Sequence, residues 1–579
     1  MRTTDDLLEP PLARSEAAER SRECSGETQC PNRSGHRDLV FAFMVWTIGA
    51  LVFFRSAFGS GFDRIMGNAG DARLQVFGHE HWVQVLRGHE SWTNPRFFFP
   101  IKGVLGYSDT FILNEVFYAP LRAVGCDEFL AFQWTIVLMS LAGFFAFFTF
   151  LRRTLWLSAS VCAALSATFV FANAIYIKAG HLQLYSLYWL PVLMLVMLSA
   201  ANGRRRLVRL GSGFLSGCLL GLLFLSTYYV AWFAVFGTSI FCAGLLALRI
   251  RAVGLRACAV ALQRHLGAVA TSAVGFVLAM IPFATVYLPV LRASGGRTYS
   301  DAMLYAARPA DVVNLSGTNY LWGPTMRALL SAARLANTEV SLAVTPVLAV
   351  AALAFGALSI RGRSAKRRFA ADVSIAAAVT LVALILLPVK FGWGSLWRIP
   401  WTLVPGAVGI RAIDRVAMLG GLFAVVAVAA GFQSRGAATS SSSRTPRMRR
   451  IGVASLLCLF LFEQVNVGEN SFVDRSDEIN MLTVSAEPPP ACGSFYIIDS
   501  APDQVPFYQS SIDAMLISQH FRLPTVNGYS GQFPLGYSLI DPGSPGYVEQ
   551  VHLWADTHDL RSGLCSYDRA TRAWVGPGA

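Results

Sequence analysis

Apolar runs of about twenty residues, long enough to cross a bilayer's hydrocarbon core, recur from Leu39 to Val465, separated by polar segments of very unequal length. The pattern predicts spans at Leu39–Phe58, Phe129–Leu151, Leu155–Ile177, Leu184–Ala201, Leu210–Tyr229 and Ala231–Leu248. It continues at Leu266–Leu291, Ser341–Ile360, Val373–Val389, Val416–Phe432 and Ile451–Val465. The expected fold class is thus a polytopic α-helical membrane protein with about 11 transmembrane helices.

The polar segments fall into two kinds that alternate. One kind is short and basic: Arg152–Arg153, Arg204 to Arg209, Arg249 to Arg264, Arg361 to Arg368 and Arg447 to Arg450. Basic loops stay in the cytoplasm, which puts the N-terminus inside and the C-terminus outside. Outer loops at 59–128, 292–340 and 390–415, together with the turn at Lys178-Ala-Gly-His181, then share one face with everything after Val465.

The division that follows is a polar cytoplasmic tail at 1–38, a membrane domain at 39–466 and an extracytoplasmic region at 467–579. The tail is too long and too acidic for a cleavable signal peptide. The last region reads as a small α/β domain: SFYII (494–498) is strand-like, Asp513–Phe521 is helical, and NGYSGQFPLGY is rich in turn formers.

Composition changes the picture only by exclusion. The chain is 54% hydrophobic and 14% charged, well below the roughly 25% charged of soluble domains, and its mean hydropathy is +0.47. A net charge of +13 would suggest nucleic acid in a soluble protein, but the clustered arginines report topology instead. Ten cysteines show no metal-type spacing. Cys492 and Cys565 are candidates for a disulfide if their region is extracytoplasmic, with two free thiols as the other expectation.

Candidate chemistry concentrates in the first outer loop. GNAGDARLQVFGHEHW (67–82) opens a run with apolar residues near helical spacing, which predicts a short amphipathic helix along the membrane surface. Asp71 at its start fits an N-cap and equally a carboxylate presented to a cleft. His79, Glu80 and His81, with His89 and Glu90, form a loose imidazole–carboxylate group that lacks the i, i+4 histidine pair of a zinc helix. Asp109 in YSD resembles another cap, and Glu115 lies in an otherwise apolar stretch, where an ionisable group is costly unless it faces a cavity. Lys178, His181 and Gln183 occupy one outer turn. Arg411 and Arg415, flanking Asp414 in GIRAIDRVAML, stand on the outer face against the charge bias; a phosphate would compensate them.

Taken together, GDARLQVFGHEHW, SWTNPRFFFPIKGVLGYSD, AGHLQLYSLYWLP and GIRAIDRVAML resemble a bacterial branch of the GT-C superfamily of integral-membrane glycosyltransferases. The similarity spans most of residues 40–430. It implies transfer of a sugar from a polyprenyl-phosphate donor to an acceptor hydroxyl (on a glycan, lipid or protein) at the outer face of the cytoplasmic membrane, with inversion. The family's acidic residue maps onto Asp71 as general base, and Arg411, Arg415, His181 and Lys178 become candidates for the donor phosphate. His79, Glu80, Asp109, Glu115 and Gln183 remain candidates for substrate or metal contacts. Many members carry paired acidic residues, whereas Asp71 stands alone in G-D-A; this implies a metal-independent site or a weakly bound divalent ion. The rival readings are a transporter of lipid-linked saccharides and a non-catalytic assembly protein of the cell envelope. The absence of an internal repeat and of charge within the spans counts against the transporter.

Overall fold

The computed structural model describes residues 32–332, 344–361, 367–392, 394–436, 447–501 and 506–577. Most of the expected N-terminal tail, the centre of the Arg361–Arg368 loop and the Ser-rich loop before Arg447 lie outside the described residues.

Each expected span corresponds to a helix. The first is α1 (Asn32–Phe53), which begins earlier than expected. In the loop at 59–128 come α2 (Asp71–Leu86) and α3 (Glu115–Ala123). The membrane helices continue as α4 (Glu128–Leu155), α5 (Ala159–Val170), α6 (Trp189–Asn202), α7 (Arg206–Ser226), α8 (Tyr228–Val253) and α9 (Leu266–Ser294). They end with α10 (Pro346–Arg361), α11 (Arg368–Leu386), α12 (Met418–Ser434) and α13 (Arg447–Gln464).

Nine helical segments among the described residues are long and apolar enough to cross a membrane, and the chain is a multi-pass membrane protein. Helix α10 is apolar but shorter, at 16 residues, and α13 is not among the nine. The expected count of about 11 stands beside nine such segments among the described residues. The segment read as Leu155–Ile177 is broken rather than continuous: α5 stops at Val170 and a separate turn, Asn173–Tyr176, follows.

Glycine spacing sets one helix pair. In α7, Gly213, Gly217 and Gly221 recur every fourth residue and face α9, whose Gly275 faces back. A methyl on Gly217 would sit 1.8 Å from the Ser272 carbonyl oxygen, and one on Gly275 2.2 Å from that of Phe214. Small residues at this spacing let membrane helices approach closely where hydrophobic driving force is absent.

The C-terminal region is a small α/β domain. Strand β1 (Arg64–Met66), from the loop at 59–128, pairs antiparallel with β2 (Ser471–Asp474). Strand β3 (Ser494–Ile498) then runs parallel to β4 (Leu564–Asp568), and β5 (Ala573–Val575) joins antiparallel. Cys492 and Cys565 form a disulfide with Cα atoms 5.6 Å apart. Helices α14 (Arg475–Thr483), α15 (Phe507–Phe521) and α16 (Tyr547–Thr557) complete it. The domain is tied to the loop at 59–128 by β1–β2 and by Arg475, whose Nε lies 3.0 Å from both Asp127 carboxylate oxygens.

Candidate functional site

Helix α2 forms where the pattern predicts it, but it is buried rather than laid on a surface. Arg73, Gln75, His79, Glu80 and His81 are all buried, because the polar residues that would have faced water meet partners on the loops and on the C-terminal domain. Arg73 pairs with Asp513 of α15 and with Glu478 of α14 (2.8 Å). Gln519 of α15 donates to the Phe77 carbonyl at 2.8 Å. The C-terminal domain thus grips α2 and fixes its first turn.

Asp71 is not the cap of this helix. Asn68 Oδ1 accepts the Gly70 and Asp71 backbone N–H groups at 3.0 and 2.6 Å, which leaves the Asp71 carboxylate for other partners. His181 Nδ1 bonds Asp71 Oδ2, and Gln183 Nε2 approaches the same oxygen at 3.4 Å. Gln75 donates to Gln183 Oε1 at 3.1 Å and so orients the amide. Burial alone would raise the Asp71 pKa; the His181 bond and charge, then Arg415 and Gln183, outweigh it and hold the carboxyl below its ordinary value. It is ionised at neutral pH, and its side chain stays 24% exposed.

That exposure opens into a cavity of about 1160 Å³, above the roughly 300–1,000 Å³ usual for small-molecule sites. One part is apolar and lies between α8 (Trp232, Val235, Phe236, Ile240) and α9 (Met280, Phe283, Leu288, Leu291). Val235, Leu288 and Leu291 are exposed, so this part opens toward the surroundings of the membrane helices. The other part is polar and gathers Asp71, Asp109, His181, Gln183, Arg297, Arg411 and Arg415 from four segments between the membrane helices.

Asp109, the second carboxyl of the cavity, accepts the Tyr228 backbone N–H at 3.2 Å. It therefore caps α8 from another segment of the chain. Burial raises its pKa to about 6, against the opposing pull of that bond and of Arg415, and the negative charge of Asp71 adds to the rise. Arg411 sits over the Tyr305 ring at 5.0 Å, and its backbone N–H bonds the Tyr229 hydroxyl at 2.7 Å. Arg297 donates to the Gly531 carbonyl at 2.5 Å.

Several sequence candidates are placed elsewhere. Lys178 forms a 2.6 Å ion pair with Asp414, both side chains essentially inaccessible, and neither lines the cavity. His79 and Glu115 pair at 2.5 Å, about two turns along α2 from Asp71. Burial pushes His79 down to about 3, and burial, then the Glu80 charge, raises Glu115 well above its ordinary value, so burial disfavours the charged form of both. Glu80 is taken up by Arg122 (2.8 Å) and the Tyr118 hydroxyl (3.1 Å). His81 is held by Glu90 at 2.5 Å. No group of three or more metal-type ligands occurs among the described residues.

Arg297 escaped the sequence reading because it closes a span in SGGR, one basic residue among many. Tyr228 and Tyr229 read only as a turn. Nothing local marks either as part of a site; only the convergence of distant loops does.

No protein-family model matches the sequence, and no curated protein matches it significantly. Among solved structures, ArnT from Cupriavidus metallidurans in the apo state is similar at 13% identity and a TM-score of 0.44, over 93% of both chains. The same protein bound to undecaprenyl phosphate matches at 12% identity and 0.42, over 86% of each. The Archaeoglobus fulgidus oligosaccharyltransferase, in complex with Zn and sulfate, matches at 12% and 0.38, over 91% of this chain and 67% of that one. At such scores the likeness is remote, and the chemistry rests on this chain's own residues.

Proposed function

We propose that the protein is a membrane glycosyltransferase of the GT-C type, moving a sugar from a polyprenyl-phosphate donor to an acceptor hydroxyl at the outer face of the cytoplasmic membrane. The observation that carries this reading is the cavity's two-part character: an apolar groove between α8 and α9 that ends at Arg297, Arg411, Arg415 and one ionised carboxylate. A long prenyl chain suits the first part. A phosphate suits the guanidinium forks of the second, which bind its oxygens with charge-assisted hydrogen bonds.

In this reading Asp71 accepts the proton of the acceptor hydroxyl as its oxygen bonds the anomeric carbon. The anomeric C–O bond to phosphate breaks, its electron pair leaves on the phosphate, and attack from the opposite face inverts the centre. Arg411 and Arg415 stabilise the charge that develops on the leaving phosphate. His181 and Gln183 hold the Asp71 carboxylate rather than the phosphate, and Lys178, neutralised by Asp414, takes no part. A divalent ion is not required by this scheme, since guanidinium groups supply the positive charge.

Two features support the outer-face placement. The site's loops alternate with the basic ones, and the Cys492–Cys565 bridge suits an oxidising compartment. A topology reporter fused after Val465 reads outside in this scheme; a cytoplasmic signal contradicts it.

The direct test uses purified protein in nanodiscs with extracted lipid-linked sugars. Asp71→Asn abolishes transfer while donor binding and insertion persist, and full activity in that variant sinks the base assignment. Arg411→Ala weakens binding of undecaprenyl phosphate; unchanged affinity removes the arginine from the donor site.

A further inference from the structure

The roof of the cavity comes from the C-terminal domain, in the turn-rich segment that begins Asn527-Gly-Tyr529. Its start is fixed by Asn527, which accepts the Ile497 N–H at 2.8 Å and donates to the Tyr547 hydroxyl at 2.6 Å. It is then pinned to two outer loops: Ser530 donates to the Tyr107 carbonyl, and Gly531 accepts from Arg297. Tyr529, Gly531 and Gln532 of this segment line the cavity.

Tyr529 is close to the proposed base. Burial and then the Asp71 charge raise its phenol pKa. Its ring lies 5.5 Å from that of Tyr508, and Tyr508 in turn covers Gly70, the residue before Asp71, where a methyl would meet Tyr508 at 3.1 Å. The Tyr508–Tyr529 pair thus packs beside the turn that carries Asp71, and the Gln532 amide lines the same cavity.

We propose that the acceptor is a neutral glycan and that Tyr529 with Gln532 forms the subsite presenting its hydroxyl to Asp71; this rests on the reading of Asp71 as base. Aromatic faces, with their negative quadrupole, take the polarised C–H faces of a sugar ring, and a glutamine amide offers both a donor and an acceptor to hydroxyls. The segment from Asn527 to Tyr537 has no charged residue. An acidic acceptor would meet Asp71 and Asp109, and the cavity's arginines are assigned to the donor phosphate. The apolar groove along α8 and α9 is assigned to the donor chain, whereas the roof offers aromatic and amide groups suited to sugar.

The test is saturation-transfer NMR on the full chain in nanodiscs, with neutral mannan-, galactan- and arabinan-derived tetrasaccharides as probes. Undecaprenyl-phosphate affinity is measured on the same samples. In the wild type at least one tetrasaccharide receives saturation at its ring protons. Tyr529→Ala weakens that binding by about tenfold, Tyr529→Phe retains it, and the undecaprenyl-phosphate affinity is the same in all three. Three outcomes overturn the proposal: no tetrasaccharide signal in the wild type, a wild-type signal in Tyr529→Ala, or a parallel loss of undecaprenyl-phosphate binding that marks the roof as structural. Transfer onto nanodisc lipids without a glycan signal identifies a lipid acceptor and overturns it as well. Failure of the wild type to bind undecaprenyl phosphate speaks instead against the donor reading.

Discussion

The two ends of helix α2 carry the same kinds of residue and do opposite things with them. Its first turn sets Asp71 at the wall of a cavity, ionised and with its side chain 24% exposed. Two turns on, His79 and Glu115 meet with side-chain exposures of 1% and 11%, and Glu80 is closed off by Arg122 and Tyr118. The crowded end looks richer in chemistry on paper. Yet its groups have been neutralised by burial or paired, since a buried charge persists only with a partner. The sparse end keeps one charge poised toward open space, which is what a base needs.

Substitutions at the two ends sharpen this contrast. Asp71→Asn has the largest expected effect, a loss of transfer of roughly 10²–10⁴-fold, the usual worth of a positioned acid or base. Thermal stability is expected to change little, because Asn68 supplies the cap. A large fall in stability with modest loss of rate would move Asp71 to the structural side.

Next comes the buried pair that the sequence offered as a phosphate contact. Lys178→Met leaves Asp414 without its ion-pair partner and is expected to cost about 3–5 kcal/mol, read by denaturant titration. Donor affinity in the folded fraction should be unaffected. A variant of normal stability whose donor affinity falls would return Lys178 to the site.

Asp109 yields a pH signature with a defined sign. Its pKa is about 6 in the fold against an ordinary value near 3.9, so between these pH values the native state holds a proton the unfolded chain has lost. Stability then falls as pH rises from about 4 to 6 and is level above, by an amount of order 3 kcal/mol. Asp109→Asn keeps an acceptor for the Tyr228 N–H and removes that slope. Melting curves at pH 5 and 7.5 check it: the variant gains on the wild type at the higher pH, and an equal difference at both contradicts the burial argument.

The smallest effect is expected at the crowded end. Glu115→Gln mimics a carboxyl that is already protonated, so stability should move by less than about 1 kcal/mol. Its pH dependence between 6 and 8 should match that of the wild type. A loss of transfer comparable to that of Asp71→Asn would erase the distinction between the two ends.

The membrane architecture was legible because bilayer-length apolar runs carry their own signal: Leu266–Leu291 was expected and α9 covers Leu266–Ser294. SFYII reads directly as β3. The break after Val170 was not, since a single polar Asn173 does not interrupt an apolar run of bilayer length, and the turn is set by tertiary contacts, including the Asn173 side chain's bond to the Leu315 carbonyl (3.1 Å). In the candidate site, residue type, position in the polar loops and the family resemblance named Asp71, Asp109, His181, Gln183, Arg411 and Arg415, which line one cavity. It also named Lys178, His79, Glu80 and Glu115, whose partners sit far away in sequence or on another helix face. Pairing is a property of the fold, and no local pattern separates a lysine facing Asp414 from one facing a ligand.

The most direct test of the account is a structure of the full chain with undecaprenyl phosphate bound. The account predicts the prenyl chain between α8 and α9 and the phosphate within hydrogen-bond distance of Arg411 or Arg415, on the Asp71 side of α2. A phosphate held at the His79–Glu115 side of that helix, or a prenyl chain lying outside the α8–α9 groove, would contradict it.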